Sequence, residues 1–518
     1  MSWWGWVLLA AAATLVVVAL YDVVQRRHAI LRNFPVIGHL RFLLEAVGPE
    51  LRQYIVTDND SDRPFSRDHR RWIYASAKRD NLYYGFGTDN DLEASPDYLI
   101  VKQVSFPLPE PPVGAPGGPP DHALPCAKVL GGARQRAKAF RMRSAVNISS
   151  MSYGSLSRAA VEALNRGAAL DGCLQGTGEG GISPYHRTGG DLVWQIGTGY
   201  FGCRDERGRF SMSRFLDTLA ATPQVRAIEI KISQGAKPGL GGVLPAVKIT
   251  QEISTMRGIP LGQDCISPPA HSAFGDADSL LDFAEHLAQE SGLPIGIKSA
   301  VGHDDLFRQL AALMAPGDRG LDFVNVDGGE GGTGAGPLAF TDHVALPFKL
   351  GFARVYRAFA AAGVADHLVF IGAGKLGLPQ SALLAFAMGC DAVNVGREAM
   401  LAIGCIQAQR CHTGRCPTGV TTHSPWLMRG LDPTLKSVRV ANYLNQLRRE
   451  ILELSRACGV PHPALVTLDD FEMVGDHFDW RPAAVVFQYE DGWGMPSPED
   501  RAALASWTDG ARSTDGAI

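Results

Sequence analysis

The sequence predicts an α/β chain, a (β/α)8 TIM barrel preceded by an N-terminal transmembrane helix and a lead-in segment. Three features predict it. Short apolar, β-branched runs recur, each closed by Gly, Ser or Asp and most followed by a helical pattern: SAVNIS from Ser144, LVWQIGTG from Leu192, AIEIKIS from Ala227, PIGIKSAVG from Pro294, DFVNVDGG from Asp322, HLVFIGAG from His367 and DAVNVG from Asp391. The runs are continuously apolar rather than alternating, as strands buried on both faces of a parallel sheet must be. Chemistry-bearing residues sit at the carboxyl ends of the runs, where a barrel builds its site, and no GxGxxG with a later acidic residue follows the first strand to favour an open doubly wound sheet.

Taken in order, Trp3 to Tyr21 carries no charge, and about 20 apolar residues span the hydrocarbon core of a bilayer. Trp3, Trp4, Trp6 and Tyr21 lie at its two ends, where amphipathic rings favour the headgroup region. A cleaved signal peptide would carry a basic stretch before the apolar run and a small-x-small site after it; here YDVVQRR follows. A soluble core helix apolar on every side would have to be enclosed all round. Arg26, Arg27 and Arg32 follow the span and place the body on the cytoplasmic side of a bacterial-type inner membrane, crossed once. The expected organisation is an anchor with its basic flank over residues 1–28, a lead-in over 29–125, the barrel over 126–460 and a C-terminal extension over 461–518. The Pro- and Gly-rich stretch from Pro107 to His122 cannot be helix or central strand and marks the start of the main body.

With 49 basic and 53 acidic residues there is no global field to gather nucleic acid. Of nine cysteines, Cys126, Cys173, Cys203, Cys265, Cys390 and Cys458 are scattered singly and read as small core hydrophobes. Cys405, Cys411 and Cys416 crowd into one stretch, C-x5-C-x4-C-P, which in a large enzyme reads as a metal site. Thiolates are soft ligands of iron–sulfur clusters, and three suggest a cluster short of one iron. A Cys3His zinc site using His412 is the alternative, although His412 directly follows Cys411 and adjacent residues seldom reach one tetrahedral ion.

In a barrel the loops after the last strands form a phosphate site, because free backbone N–H groups point at the anion there. IGAGKLG and NVGRE stand at those places: Gly374 and Gly396 allow close backbone approach, and Lys375 and Arg397 add charge. Lys298 ends a mid-barrel strand, where a buried ammonium needs a partner. A reduced flavin, with negative charge near N1 and O2, supplies one; a core carboxylate would also serve.

SSMSYGSLS (149–157), TGEGG (177–181), QGAKPG (234–239), SPP (267–269), GGTGAGP (331–337) and the cysteine run occur in that order. In these motifs the chain resembles the FMN-binding synthase domain of glutamate synthases over residues 130–460. The resemblance implies a barrel holding FMN beside a 3Fe-4S cluster on Cys405, Cys411 and Cys416. It implies that ammonia and 2-oxoglutarate form an imine that is reduced by the flavin to L-glutamate. Carried over by motif, Glu179, Gln234, Lys237 and Arg257 face the substrate, with Glu179 and Lys237 catalytic. Ser150, Met151, Ser152, Gln195, Lys298, Gly331, Gly332, Gly334, Gly374, Lys375, Gly396 and Arg397 surround FMN.

The chain departs from the pattern in ways that bear on substrate. Leu240 and Val243 stand where the family has Glu and Gln, Tyr200 replaces an Arg, and a DGG turn has become GAG at 372–374. The family's amidotransferase domain and a nicotinamide fingerprint are not found, so the expectation is that ammonia or an amine comes free or from a partner and that electrons come from another protein, a ferredoxin or a membrane dehydrogenase. Two further readings follow: a subunit making N-methylglutamate from methylamine and glutamate, and an electron-transfer component of a membrane complex without turnover of its own.

Overall fold

The computed structural model describes residues 2–48, 60–92, 95, 98–110, 122–475 and 479–510, the side chains of 505–510 excepted. The centre of the proline-rich stretch, 111–121, and the polar tail from Ser513 lie outside the described residues.

Eight parallel strands close a barrel: β1 (Val146–Ile148), β2 (Gln175–Gly176), β3 (Leu192–Ile196), β4 (Val225–Lys231), β5 (Ile295–Ser299), β6 (Phe323–Asp327), β7 (Val369–Ala373) and β8 (Ala392–Val395). Each pairs with its successor, and β8 returns to β1 through Val393 opposite Val146. Seven of the eight lie in the apolar runs of the sequence. β2 is the exception: two residues without a β-branched side chain carry no periodicity, and Gln175 and Gly176 are strand only because Ile148 and Leu192 pair with Gln175 from either side.

Side chains of the strands fill the barrel. Leu174, Ala227, Phe323, Val369, Ile371 and Ala392 form this inner core, which Cys126, Leu130 and Met142 close from below, on and beside the antiparallel pair Val129–Leu130 and Phe140–Arg141. The Phe323 ring takes the space beside β5, since a Cβ on Gly296 would lie 2.3 Å from it. Helices wrap the outside. Helix Arg158–Asp171 starts where Ser157 Oγ accepts from Ala160 N and ends at Gly172 in the left-handed region. Helix Pro433–Ala457 lies against it so closely that a Cβ on Gly167 would meet Val440 at 2.1 Å.

The lead-in and the C-terminal extension are not separate layers. Leu99–Val101 pairs antiparallel with Phe471–Val474, which pairs with Trp480–Pro482, so the two form one three-stranded sheet. Helix Arg67–Lys78 packs on Pro433–Ala457, with Trp72 Nε1 donating to Glu450 at 2.9 Å. The N-terminal helix Trp3–Val24 is long and apolar enough to cross a membrane. Its residues are exposed or half-buried except Asp22, so it is not the enclosed core helix of the alternative reading. Asp22 is fully buried and accepts from Val36 N at 2.9 Å and from His39 Nε2 at 2.9 Å.

Candidate active site

The carboxyl ends of the strands bring most of the expected residues to one mouth. Its floor is organised by a residue that the motifs do not single out. Glu229 of β4, 1% exposed, accepts from Ser150 Oγ (3.1 Å), Gln195 Nε2 (2.5 Å) and Asn325 Nδ2 (2.6 Å). Beside it Lys298 of β5 pairs with Asp327 of β6 at 3.4 Å, and Asp327 also accepts from Gly235 N at 3.0 Å. Burial works against the Lys298 ammonium, but the carboxylates of Asp327, Glu229 and Glu179 hold its pKa above the usual lysine value. Lys298 thus has a core carboxylate, Asp327, as its partner. Asn325 Oδ1 and Gln175 Nε2 are buried with no partner among the described residues, polar capacity that a bound group would satisfy.

Above this floor lies a charged tier. Glu179 Oε1 accepts from Lys231 Nζ at 2.6 Å, and Lys231 Nζ also donates to Gln234 Oε1 at 2.6 Å. Two glycines make the space: a Cβ on Gly197 would sit 2.7 Å, and one on Gly242 2.6 Å, from Glu179. Burial would raise the Glu179 pKa, but Lys231, Lys237 and Arg257 outweigh it and keep the carboxyl ionised below its usual range. Lys237 is 3% exposed, and its ammonium has no hydrogen bond or ion pair among the described residues. Burial, with Lys231 adding and Glu179 opposing, brings it down to about 8. Arg257 Nη2 donates to Tyr153 O at 2.7 Å, its guanidinium lies 5.2 Å over the Phe201 ring, and its buried Nε is unpaired. Ser152 Oγ lies 3.5 Å from Arg257 Nη2, so it joins this tier rather than the floor.

The departures have structural readings. Tyr200 brings no charge to the mouth: its buried hydroxyl accepts from Ser272 N and Ala273 N, both at 3.1 Å, and bonds His271 Nδ1 at 3.0 Å, tying down the loop after SPP. Leu240 and Val243 are half-buried, Val243 on the short pair with Cys265–Ile266. The QGAKPG loop and the turn after β6 touch, since a Cβ on Gly235 would stand 1.7 Å from Gly328 O.

On the far wall, Gly374 has φ +117 and Lys375 φ 58, a turn that only glycine enters freely at the first of these positions. Arg397, which opens helix Arg397–Ala402 after Gly396, donates to Glu330 O, and a Cβ on Gly332 would press on its side chain at 2.6 Å. Gly331 and Gly334 belong to the same loop; a Cβ on Gly334 would meet Ser155 Oγ at 2.6 Å. The unexpected member is Phe65 from the lead-in, 1% exposed, with Arg397 Cζ 5.2 Å and Lys375 Nζ 5.7 Å from its ring centre. Nothing in the local sequence links Phe65 to two loops more than 300 residues away.

Cys405, Cys411 and Cys416 line one small cavity with Met400, Thr418 and Thr421, while His412 is exposed and outside it. Burial, with the two neighbouring thiols adding, pushes Cys405 up to about 12. At Cys416 burial is outweighed by bonds from Thr421 and Thr418, and the thiol is held below its usual value. Among the described residues no three His, Cys, Asp or Glu, these cysteines included, form a group that could hold a metal ion. The donor set itself, three soft thiols, is of the type that iron–sulfur clusters take. Tyr74 of the lead-in donates to Cys405 O at 2.8 Å, and Gln407 bonds Phe65 N at 3.1 Å, so the lead-in braces both the cysteine loop and the far wall.

Residues 127–461 match the model of the conserved region in glutamate synthase. The chain is 35% identical over 471 residues to a glutamate synthase large subunit-like protein, YerD, of Bacillus subtilis, covering 85% of this chain and 89% of that one. It is 36% identical over 327 residues to the archaeal glutamate synthase [NADPH] of Methanocaldococcus jannaschii, a match that takes 62% of this chain and 60% of that protein's length. Among solved structures, a mandelate oxidase aligns over 73% of this chain and 87% of that one, at 14% identity and a TM-score of 0.42. With the family model covering most of the chain and the YerD relative nearly all of it, this protein belongs to the glutamate synthase family.

Proposed function

We propose that the protein is an FMN- and iron–sulfur-dependent oxidoreductase that reductively aminates a 2-oxo acid, 2-oxoglutarate with ammonia giving L-glutamate. The observation that carries the reading is the charged tier of Glu179, Lys231, Lys237 and Arg257 standing over the Glu229–Lys298–Asp327 floor. Bound FMN would supply the hydride, and a 3Fe-4S cluster single electrons. Ser150, Gln195, Lys298 and Asn325 would hold the flavin ring, with Lys298 balancing negative charge, and Lys375, Arg397 and the glycines of the far wall its phosphate. Cys405, Cys411 and Cys416 would ligate the cluster.

Lys237 and Arg257 are the cations available for substrate carboxylates. Glu179, ionised and joined to Lys231, takes protons from the attacking ammonia as water leaves the oxo carbon, and returns one to the amine nitrogen on reduction. Each turnover consumes one oxo acid, one ammonia, one hydride and one proton and releases one water. Residues 1–28 would anchor the barrel, 126–460, on the cytoplasmic face of an inner membrane, where a ferredoxin or a dehydrogenase delivers electrons. The test is anaerobic photoreduction of the purified protein followed by ammonium and candidate oxo acids. Flavin reoxidation with 2-oxoglutarate and formation of glutamate is the expected outcome; no reoxidation with any oxo acid overturns the reading.

Leu240 and Val243 support a second reading, an N-methylglutamate synthase-like subunit that handles methylamine and glutamate, because two polar groups of the family pattern are apolar here. Turnover with methylamine and glutamate but not with ammonium and 2-oxoglutarate would select it.

A further inference from the structure

Below the N-terminal helix lies an open groove of about 710 Å³. Its walls are strongly basic, with Arg27, Arg41, Lys78, Lys436 and Arg439 among the lining residues. The acids nearby are already engaged: Glu45 holds Arg41 at 2.5 Å, Asp432 faces Arg26 at 3.5 Å, and Asp80 lies 3.9 Å from Lys78. Arg439 donates to a carbonyl, Arg27 O, at 3.3 Å, and Asp80 acts on it without a direct ion pair among the described residues. Lys436 is 2% exposed and lines the groove, and its ammonium has no hydrogen bond or ion pair among the described residues. A buried ammonium without a partner is costly, and an anion in the groove would offset that cost. Burial and the repulsion of Arg439 and Lys78, with Asp432 opposing, bring Lys436 down to about 7.

The groove opens within a few residues of Val24, where the apolar helix ends. Helix Gly38–Ala46 contributes Arg41 and Phe42 to the groove and leaves Leu40, Leu43 and Leu44 each more than half exposed, with Ile37 before it 76% exposed. A cationic pocket bordered by an exposed apolar helix has the chemistry of a lipid with a charged head and two acyl chains.

We infer that this groove binds the phosphate headgroup of an anionic phospholipid from the leaflet that Trp3–Val24 enters, with Ile37, Leu40, Leu43 and Leu44 against the acyl chains. The inference rests on the membrane reading of that helix. The same groove is walled by Gly404 and Ile406 on either side of Cys405, and by Tyr74, so the headgroup would lie against the loop that carries the cysteines.

The full chain, in nanodiscs of phosphatidylcholine alone or with phosphatidylglycerol, tests it by thermal unfolding and by native mass spectrometry of retained lipid. Phosphatidylglycerol should be retained in preference and should raise the unfolding temperature. Lys436→Met with Arg439→Gln should weaken that retention about thirtyfold, and Arg27→Gln on the exposed rim about fivefold, with phosphatidylcholine retention unchanged. The rim variant keeps the test decisive if the double variant fails to fold. Equal retention of the two lipids, or protection by inorganic phosphate alone equal to that by phosphatidylglycerol, overturns the groove assignment. Release of the chain from native membranes by alkaline carbonate overturns the membrane reading as well; membrane retention with no preference for phosphatidylglycerol overturns the groove alone.

Discussion

At the amino-terminal end of the barrel, Asp322 accepts from Ile295 N at 2.8 Å and pairs with Arg136 at 3.0 Å, while Arg136 also holds Glu285 at 2.6 Å. Asp391 accepts from Phe370 N at 2.8 Å and pairs with Lys128 at 3.3 Å, and Asp171 holds Arg448 at 2.6 Å. At the carboxyl end the same kinds of group are buried on different terms. The Lys237 ammonium has no partner among the described residues, Arg257 reaches a carbonyl, a hydroxyl and a ring while its Nε goes unpaired, and Glu229 is held by one hydroxyl and two amides rather than by a direct ion pair. At the lower end the charges named are paired, and Asp322 and Asp391 also hold backbone N–H groups at the start of β5 and β7. The upper end has the pairs Glu179–Lys231 and Lys298–Asp327 but leaves Lys237 without an ion pair among the described residues, and stability forgone at one place is the usual mark of a site where something else must bind.

That contrast can be broken from either side. The largest effect is expected at the mouth: Glu179→Gln should lower kcat/KM by about 10² to 10⁴, the range for a positioned acid–base group, in a chain that still folds although Lys231 loses its buried carboxylate. A loss of fold in place of a loss of rate would make Glu179 a structural residue like Asp322. Asp391→Ala at the lower end should do the reverse, costing about 3–5 kcal/mol in denaturant unfolding because the buried Lys128 ammonium keeps two carbonyls but loses its counter-charge. Unchanged stability would mean that the two ends do not differ as described.

Smaller shifts sharpen the comparison. Lys237→Met removes an unpaired buried ammonium and should stabilise the fold by roughly 1–3 kcal/mol while weakening the binding of dicarboxylates, a trade that no lower-end substitution should show. Because the Lys237 value falls from 10.5 to about 8 on folding, the penalty is fully present below about 8. It is relieved as pH rises toward the unfolded value, so stability gains with pH across that window. Over the same rise the ammonium loses its proton and KM for the oxo acid increases; both trends should vanish in Lys237→Met. The smallest effect is expected from Leu240→Glu, which should change the ratio of kcat/KM for ammonium and methylamine, and an unchanged ratio would remove Leu240 from the specificity of the site.

Much of this is legible in the sequence, and what is not has physical reasons. Strands buried on both faces advertise themselves by β-branched runs, so β1 and β3 to β8 can be read directly, whereas β2 exists only through its neighbours. The motif residues Glu179, Gln234, Lys237 and Arg257 converge at the mouth, and the three cysteines share a cavity. Glu229, Lys231, Asn325 and Asp327 fall outside the motifs although they stand inside the apolar runs AIEIKIS and DFVNVDGG. A carboxylate within a doubly buried strand is the signal that could have found them. Phe65 and the sheet shared by the two extensions leave no local trace, because each is made by contacts between distant parts of the chain.

That shared sheet sets an order of events during synthesis. Lys102 and Glu472, ion-paired across it, are 370 residues apart in the chain. At roughly 5–20 residues per second, the lead-in strand waits about 20 to 75 seconds for its partner. If the apolar helix enters the membrane first, the barrel folds while tethered at one end, and Phe471–Val474 then returns to pair with the lead-in strand Leu99–Val101. A ribosome stalled before Phe471 would then hold a closed barrel whose lead-in edge is still unpaired, a form open to trapping by a peptide copy of Phe471–Val474.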